Sequence, residues 1–285
     1  MDLLAQLTQL APNLNQPELE ASVCAEKDGM CFHPQFNSLV RLEVIAGAHI
    51  AYLVIIFGLR FLLKGCKPLN VKYPMMLYNI IQVVASTTMT IGLAPYLLNY
   101  VFNLNGKFNA TIEFWVLFHY VTKFLDMFDS LFMVLRQKDD QLSFLHVYHH
   151  CTIGAIWGCL LHFGFGNGAA FFGAWINSLV HALMYFHYFW TSLGLRNPFK
   201  KYLTLFQMFQ FSLCILQAVL VLVFDQQFTL EWAVLQLCYH MTLLYLFLKF
   251  YLKSNGKKAV AASPKKSKAV APSAKRAATP TKKKK

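Results

Sequence analysis

Three histidines fall within five residues in the segment HVYHH, at His146, His149 and His150. Imidazole serves as nucleophile, general base or hydrogen-bond donor near neutral pH, so the three are candidates for acyl transfer or proton transfer. On a helix His146 reaches both of the others, at i+3 and i+4, whereas His149 and His150 diverge by about 100°. Upstream, Lys123, Asp126 and Asp129 recur every third residue, which keeps neighbours along one broad helix face. Downstream come Asn177, His181 and Tyr185 at intervals of four, then Thr204, Gln207 and Gln210 at intervals of three. Amide and phenol groups of this kind can donate to carbonyl oxygens.

What must position these residues is set by their surroundings. The 285-residue chain is 56% hydrophobic and only 14% charged, against about 45–50% and about 25% in a soluble domain, so the expected solvent is lipid. The net charge of +13 suggests nucleic acid until it is located: residues 253–285 hold twelve of the 26 Lys and Arg and no Asp or Glu. The rest, with 14 basic and 13 acidic residues, is nearly neutral, and no nucleic-acid partner is expected. Three regions follow: a lumenal segment at 1–40, a membrane domain at 41–252, and a basic cytosolic tail at 253–285, too poor in apolar residues to fold. The seven cysteines form no CxxC pair and no zinc spacing, and only Cys24 with Cys31 could pair in an oxidising lumen.

Apolar runs long enough to cross about 30 Å of hydrocarbon as helices occur at 42–63, 75–98, 113–135, 141–163, 169–190, 202–224 and 229–252, an all-α polytopic protein with seven crossings. Basic residues alternate between its loops. Lys64, Lys67 and Lys72 follow the first run, Arg136 and Lys138 the third, Arg196, Lys200 and Lys201 the fifth, while the intervening loops hold only Lys107. The positive-inside rule then puts the N-terminus in the lumen and the tail in the cytosol. An N-x-T sequon at Asn109 lies in a loop assigned to the lumen, and the terminal lysines Lys282 and Lys283 resemble a dilysine retrieval signal of the endoplasmic reticulum.

Charged groups inside a membrane helix cost about 2.5–3.5 kcal/mol each at its centre, so each is a functional candidate. Counting 1.5 Å per residue from the cytosolic ends, Asp129, the three histidines, His181, Gln207 and Gln210 all fall roughly 8–15 Å below that surface, with Lys123 nearer 20 Å. Helices running in alternating directions thus place polar groups in one layer, as expected of a buried site reached from the cytosol.

Taken together, KFLDMFDS (123–130), HVYHH (146–150), NSLVHALMY (177–185) and TLFQMFQF (204–211) resemble the fatty acid elongase family, over residues 40–252. Gln141, five residues before the first histidine, is similar to the branch acting on polyunsaturated chains. The chain departs from the family pattern at Asp126, where Glu is usual, at Ser130 for Thr, and at His187 for Tyr. The resemblance implies a membrane enzyme of the endoplasmic reticulum that condenses malonyl-CoA with a C18–C20 acyl-CoA to a 3-ketoacyl-CoA, CO2 and CoA, with no bound cofactor and no metal. It also implies an acyl tunnel among the helices, and a ketoacyl reductase, a dehydratase and an enoyl reductase as partners; a homo-oligomer is compatible with it.

In that reading His149 or His150, with His181 opposite, does the acyl-transfer or proton work. His146, Asp126 and Asp129 orient imidazoles, and Lys123 balances the acids. Asn177, Tyr185, Gln207 and Gln210 donate to thioester or pantetheine carbonyls, and Arg136, Lys138, Lys200 and Lys201 meet CoA phosphates. Cys151 is an alternative nucleophile. Two rivals remain: a histidine-box di-iron desaturase, which needs more imidazole ligands than one box supplies, and a seven-helix receptor or transporter, which does not call for HxxHH and acids in the cytosolic half.

Overall fold

The computed structural model describes residues 38–100, 110–224 and 229–262, and the side chains of all of these except 98–100, 110, 201 and 254–262. Cys24, Cys31, Asn109, the Lys201 side chain and the terminal lysines lie outside the described residues. Seven helices follow one another: α1 (Leu42–Leu62), α2 (Lys72–Tyr100), α3 (Ala110–Leu135), α4 (Phe144–His162), α5 (Ala170–Ser192), α6 (Lys200–Phe224) and α7 (Leu230–Ala262). Each overlaps one of the apolar runs, but α7 extends past its run to Ala262, so the expectation of an unfolded tail from residue 253 is corrected for 253–262, where the backbone continues the helix.

Four of them, α1, α2, α6 and α7, are long and apolar enough to cross a bilayer on length and composition alone. The protein is therefore a multi-pass membrane protein. The expectation of seven such helices is met by these four, and α3, α4 and α5 are not among them. Their apolar character is diluted by Lys123, Asp126, Asp129 and the histidines, and these groups face one another rather than lipid. The outward surfaces remain hydrocarbon: Val54, Phe61 and Val223 are 66%, 78% and 66% exposed.

Helix α3 sits centrally, packed against α1, α2, α4 and α5, while α2 makes its broadest contact with α5. Contacts of α5 with α6, α6 with α7 and α7 with α4 complete a ring. Leu93, Ile112, Val116, Tyr120, Leu161 and Phe171 fill the core at the end of the bundle away from the histidines.

Local chemistry fixes how α4 enters and leaves this bundle. Ser143 is its N-cap, accepting from the backbone N–H of His146 at 3.3 Å, which satisfies an otherwise orphaned donor and sets the first turn. At the other end Gly164 adopts φ +80°, the left-handed conformation that suits glycine after a helix, and Phe165 N–H returns to Leu160 O at 2.8 Å. Between α3 and α4, Gln137 ties the hairpin to the α1–α2 loop by donating to Leu63 O (3.0 Å) and Cys66 O (2.5 Å).

Gly154 and Gly158 let α4 approach α1 closely, in the small-xxx-small pattern of membrane helix pairs. A Cβ at Gly158 would lie 2.9 Å from Ile45 Cδ1 and 3.0 Å from Tyr120. Gly158→Leu is expected to force the pair apart and destabilise the protein by about 1–3 kcal/mol, measured as a lower unfolding midpoint in detergent. An unchanged midpoint would contradict this packing.

Candidate active site

The site is assembled by α2, α3, α4 and α5 around one buried ion pair. Lys123 and Asp126, three residues apart on α3 and each 2% exposed, meet at 2.8 Å between Nζ and Oδ2. A buried carboxylate needs its remaining lone pairs occupied. Gln82 of α2 does so, donating one amide N–H to Asp126 Oδ1 at 2.7 Å and the other to the Tyr78 hydroxyl at 2.9 Å. Tyr185 of α5 lies 3.3 Å from the same Oδ1 and donates to Asp129 Oδ2 at 2.5 Å.

Lys123 spends a second proton on Asn177, whose Oδ1 is 3.1 Å from Nζ. Because an ammonium only donates, the carbonyl end of Asn177 must face the lysine, which leaves its NH2 free to donate elsewhere. His181, one turn along α5, sits with Nδ1 3.7 Å from Asp126 Oδ2 and its ring edge-on to Tyr185. Asp126 thus joins two of the four motifs, its own on α3 and that of His181 and Tyr185 on α5, to Gln82 of α2, even though aspartate is shorter than the family's usual glutamate.

The histidine box splits into two faces. His146 Nε2 is 2.9 Å from Ser130 Oγ, and the Ser130 hydroxyl is in turn 2.7 Å from the Tyr52 hydroxyl of α1. His150 lies behind it, ring centroids 4.1 Å apart, with a buried Nδ1 that has no hydrogen-bond partner. His149 turns the other way and lines a cleft between α4, α5, α6 and α7, together with Asn177 and Gln210. Both orientations follow from the 100° step between adjacent helical residues.

That cleft is open on one side, and its other walls are largely apolar, with Ile156, Trp157, Leu160, Leu235 and Trp232 prominent. From His149 to Leu160 along α4 it runs roughly 16 Å. A polar end carrying an imidazole and two amides, continued by a narrow hydrocarbon wall, fits a long aliphatic chain with a reactive head. The wall is interrupted by Gln236 and His240.

Some sequence candidates fall elsewhere. Tyr185 is fully buried with its hydroxyl committed to the carboxylates, so it orders acids instead of facing the cleft. Gln207 contacts Met184 Sδ at 3.5 Å, one turn away from the cleft-lining Gln210. Asp129 is paired with Tyr185, and the group that holds His146 is Ser130, not a carboxylate. Cys151 points toward α1, packing with the cluster of Tyr52, Ile56, Val134 and Leu142. Lys138 and Lys200 are exposed at the histidine end of the bundle, and Arg136 there donates to Met75 Sδ at 3.4 Å.

Residues outside the candidate list also belong to the site. Gln82, with Asn79, stands out in the sequence as an amide near the start of the second apolar run, whereas Tyr78 carries no signal of its own. His119, one turn before Lys123, is fully buried with Nδ1 3.2 Å from Ser178 Oγ, and its ring packs edge-on to Trp157 of the cleft wall.

Comparison with known proteins agrees with this arrangement. Residues 39–263 match the family described as ELO: GNS1/SUR4 family. The chain belongs to the ELO family. Among its relatives in that family is the protein named fatty acid elongase 5 of Leishmania major, 59% identical over 238 residues, covering 84% of this chain and 96% of that protein. Fatty acid elongase 4 of Trypanosoma brucei brucei is 54% identical over 84% of this chain and 94% of its own length. Very long chain fatty acid elongase 2 of Mus musculus is 38% identical over 53% of this chain and 51% of its own. The ELO match spans all seven helices described above.

Proposed function

We infer that this chain is a fatty acid elongase, the condensing enzyme of fatty acid elongation and a 3-oxoacyl-CoA synthase. The observation that carries the reading is the cleft whose polar end places His149 beside Asn177 and Gln210, next to the buried Lys123–Asp126 pair. An acyl-CoA and malonyl-CoA are its substrates. The acyl carbonyl gains a bond to the malonyl methylene carbon and loses its thiolate as CoA, while the malonyl carboxylate leaves as CO2. One proton is consumed in forming the free thiol of CoA.

Each residue has a task in this sequence. His149 faces the reacting head and is placed to take the acyl group or to move a proton. The NH2 of Asn177, fixed by Lys123, and the amide of Gln210 donate to carbonyl oxygens where enolate or tetrahedral charge develops. Asp126 neutralises the ammonium, so the layer presents oriented dipoles rather than an unbalanced charge. Lys138 and Lys200 lie where CoA phosphates would approach. The reaction draws on no bound cofactor or metal in this reading.

The same reading takes all seven helices as crossings, with the N-terminus lumenal and the basic tail cytosolic, in the endoplasmic reticulum. Residues 1–40 are read as the lumenal segment, 41–252 as the membrane domain and 253–285 as the basic cytosolic tail, whose first ten residues continue α7, and the reductases and dehydratase of the cycle act on the product. A polyunsaturated C18–C20 chain is the proposed acyl group. His240 in the cleft wall favours it, since a chain with double bonds tolerates an imidazole neighbour better than a saturated one.

Membranes bearing the protein, given labelled malonyl-CoA and C18 or C20 acyl-CoAs without NADPH, are expected to accumulate labelled 3-ketoacyl product. Gly173 tests the cleft as the acyl site, because a Cβ there would lie 3.6 Å from Trp157, an ordinary contact. Gly173→Ala should therefore stay active, whereas Gly173→Phe should fill the cleft and shift turnover to shorter acyl-CoAs. Unaltered chain-length preference in a folded Gly173→Phe protein would remove the acyl group from this cleft.

A further inference from the structure

We propose that Tyr52 of α1, outside the four motifs, is a positioning residue for the histidine box, acting through Ser130 on His146. The inference rests on the condensing reading above. Three observations carry it. The Tyr52 hydroxyl is 2.7 Å from Ser130 Oγ, and Ser130 Oγ is 2.9 Å from His146 Nε2, so the three form an unbroken chain from α1 through α3 to α4. Tyr52 is 5% exposed and Ser130 fully buried, leaving neither hydroxyl to water. His146 in turn lies against His150 at 4.1 Å between ring centroids, and His150 meets His149 edge-on at 5.4 Å.

A hydroxyl has one proton and two lone pairs, so the chain can run either way, and Tyr52 is taken as its donor end. With Tyr52 donating to Ser130, the Ser130 proton is left for His146 Nε2, which then accepts, and the imidazole carries its proton on Nδ1. Without the tyrosine hydroxyl, Ser130 loses its donor and is free to accept from Nε2–H instead. The tautomer and tilt of His146, and through the ring contacts the seat of His150 and His149, would no longer be unique. Tyr52 touches no reacting atom in this scheme. It selects which of two arrangements the box adopts, as buried hydrogen-bonded chains do when every member is satisfied. Tyr52 and His49 share one face of α1 at i and i+3, and His49 Nε2 is buried against Gly154, one turn beyond His150. α1 is thus the back wall of the box.

The test uses the full chain in membranes and four variants, Tyr52→Phe, Ser130→Ala, Ser130→Thr and the double Tyr52→Phe/Ser130→Ala. Tyr52→Phe and Ser130→Ala are each expected to lower kcat for 3-ketoacyl formation about tenfold, with KM for acyl-CoA within twofold of the parent. The double variant should be no worse than either single one, and Ser130→Thr, which keeps the hydroxyl, should retain the parent rate. Wild-type kcat in Tyr52→Phe, or losses that multiply in the double variant, would overturn the proposal. A second measurement is independent of turnover. In protein labelled with 15N-histidine, the His146 ring-nitrogen resonances, assigned through His146→Gln, should shift in Tyr52→Phe. Unmoved resonances overturn the relay even in an active enzyme, and shifted resonances in a protein without condensing activity uphold it while the functional reading fails.

Discussion

His149→Ala is expected to reduce condensation at least about 100-fold, the lower bound of what a positioned acid–base group contributes, while the protein still folds. Two features set this apart from loss of His146 or His150. His149 is half-buried and forms part of the cleft wall, so truncation enlarges a space that is already open. His150 is packed between His146 and the rest of the box with no partner for Nδ1, so its removal disturbs packing as well as chemistry. Initial rates of 3-ketoacyl-CoA formation, with the unfolding midpoint as a control, separate the two. A folded His149→Ala protein within threefold of the parent rate would take His149 out of the reaction.

The second large effect concerns the ion pair. Asp126→Ala should destabilise the protein by about 3–5 kcal/mol, because it strands a buried ammonium whose only other partner among the described contacts is Asn177. The same change frees Gln82 and deprives Tyr185 of one of its two acids. Replacing both partners, as Lys123→Met with Asp126→Asn, removes both charges while keeping an acceptor for Gln82. It is expected to recover most of the stability and none of the activity, since nothing then fixes Asn177. Yield and unfolding midpoint in detergent, read beside turnover, check both halves. A double variant as unstable as Asp126→Ala would mean that the network, not the charge, holds this layer together.

Much of this arrangement is legible in the amino-acid sequence. Apolar runs gave every described helix because a bilayer crossing leaves a long, nearly uninterrupted signal, and counting residues from the loop ends placed Asp129, His146 to His150, His181, Gln207 and Gln210 near one depth. Periodicity also separated His149 from His150 by a fixed angle. It could not say which of them would face the cleft, because that depends on how α4 is rotated by the Gly154–Gly158 contact with α1. The partners of Tyr185 escaped for a similar reason. A phenol spaced four residues from His181 reads equally well as a substrate donor, and only the position of α3 commits it to Asp126 and Asp129. Tyr52 gave no signal at all, since one tyrosine in an apolar helix is most often a packing residue. The membrane character of α3, α4 and α5 was judged from apolar runs, while their composition is compromised by the groups that make the site.

Stoichiometry in purified protein tests the central reading most directly. The chain, reconstituted in lipid nanodiscs and given a C20 polyunsaturated acyl-CoA with malonyl-CoA labelled at its free carboxylate, is followed for CO2, free thiol and 3-ketoacyl-CoA, in the presence of an iron chelator and with oxygen uptake recorded. The expected result is equal amounts of the three products, dependence on the acyl-CoA, no response to the chelator and no oxygen consumed. Oxygen uptake with a desaturated product and bound iron, or CO2 release that ignores the acyl-CoA, would contradict it.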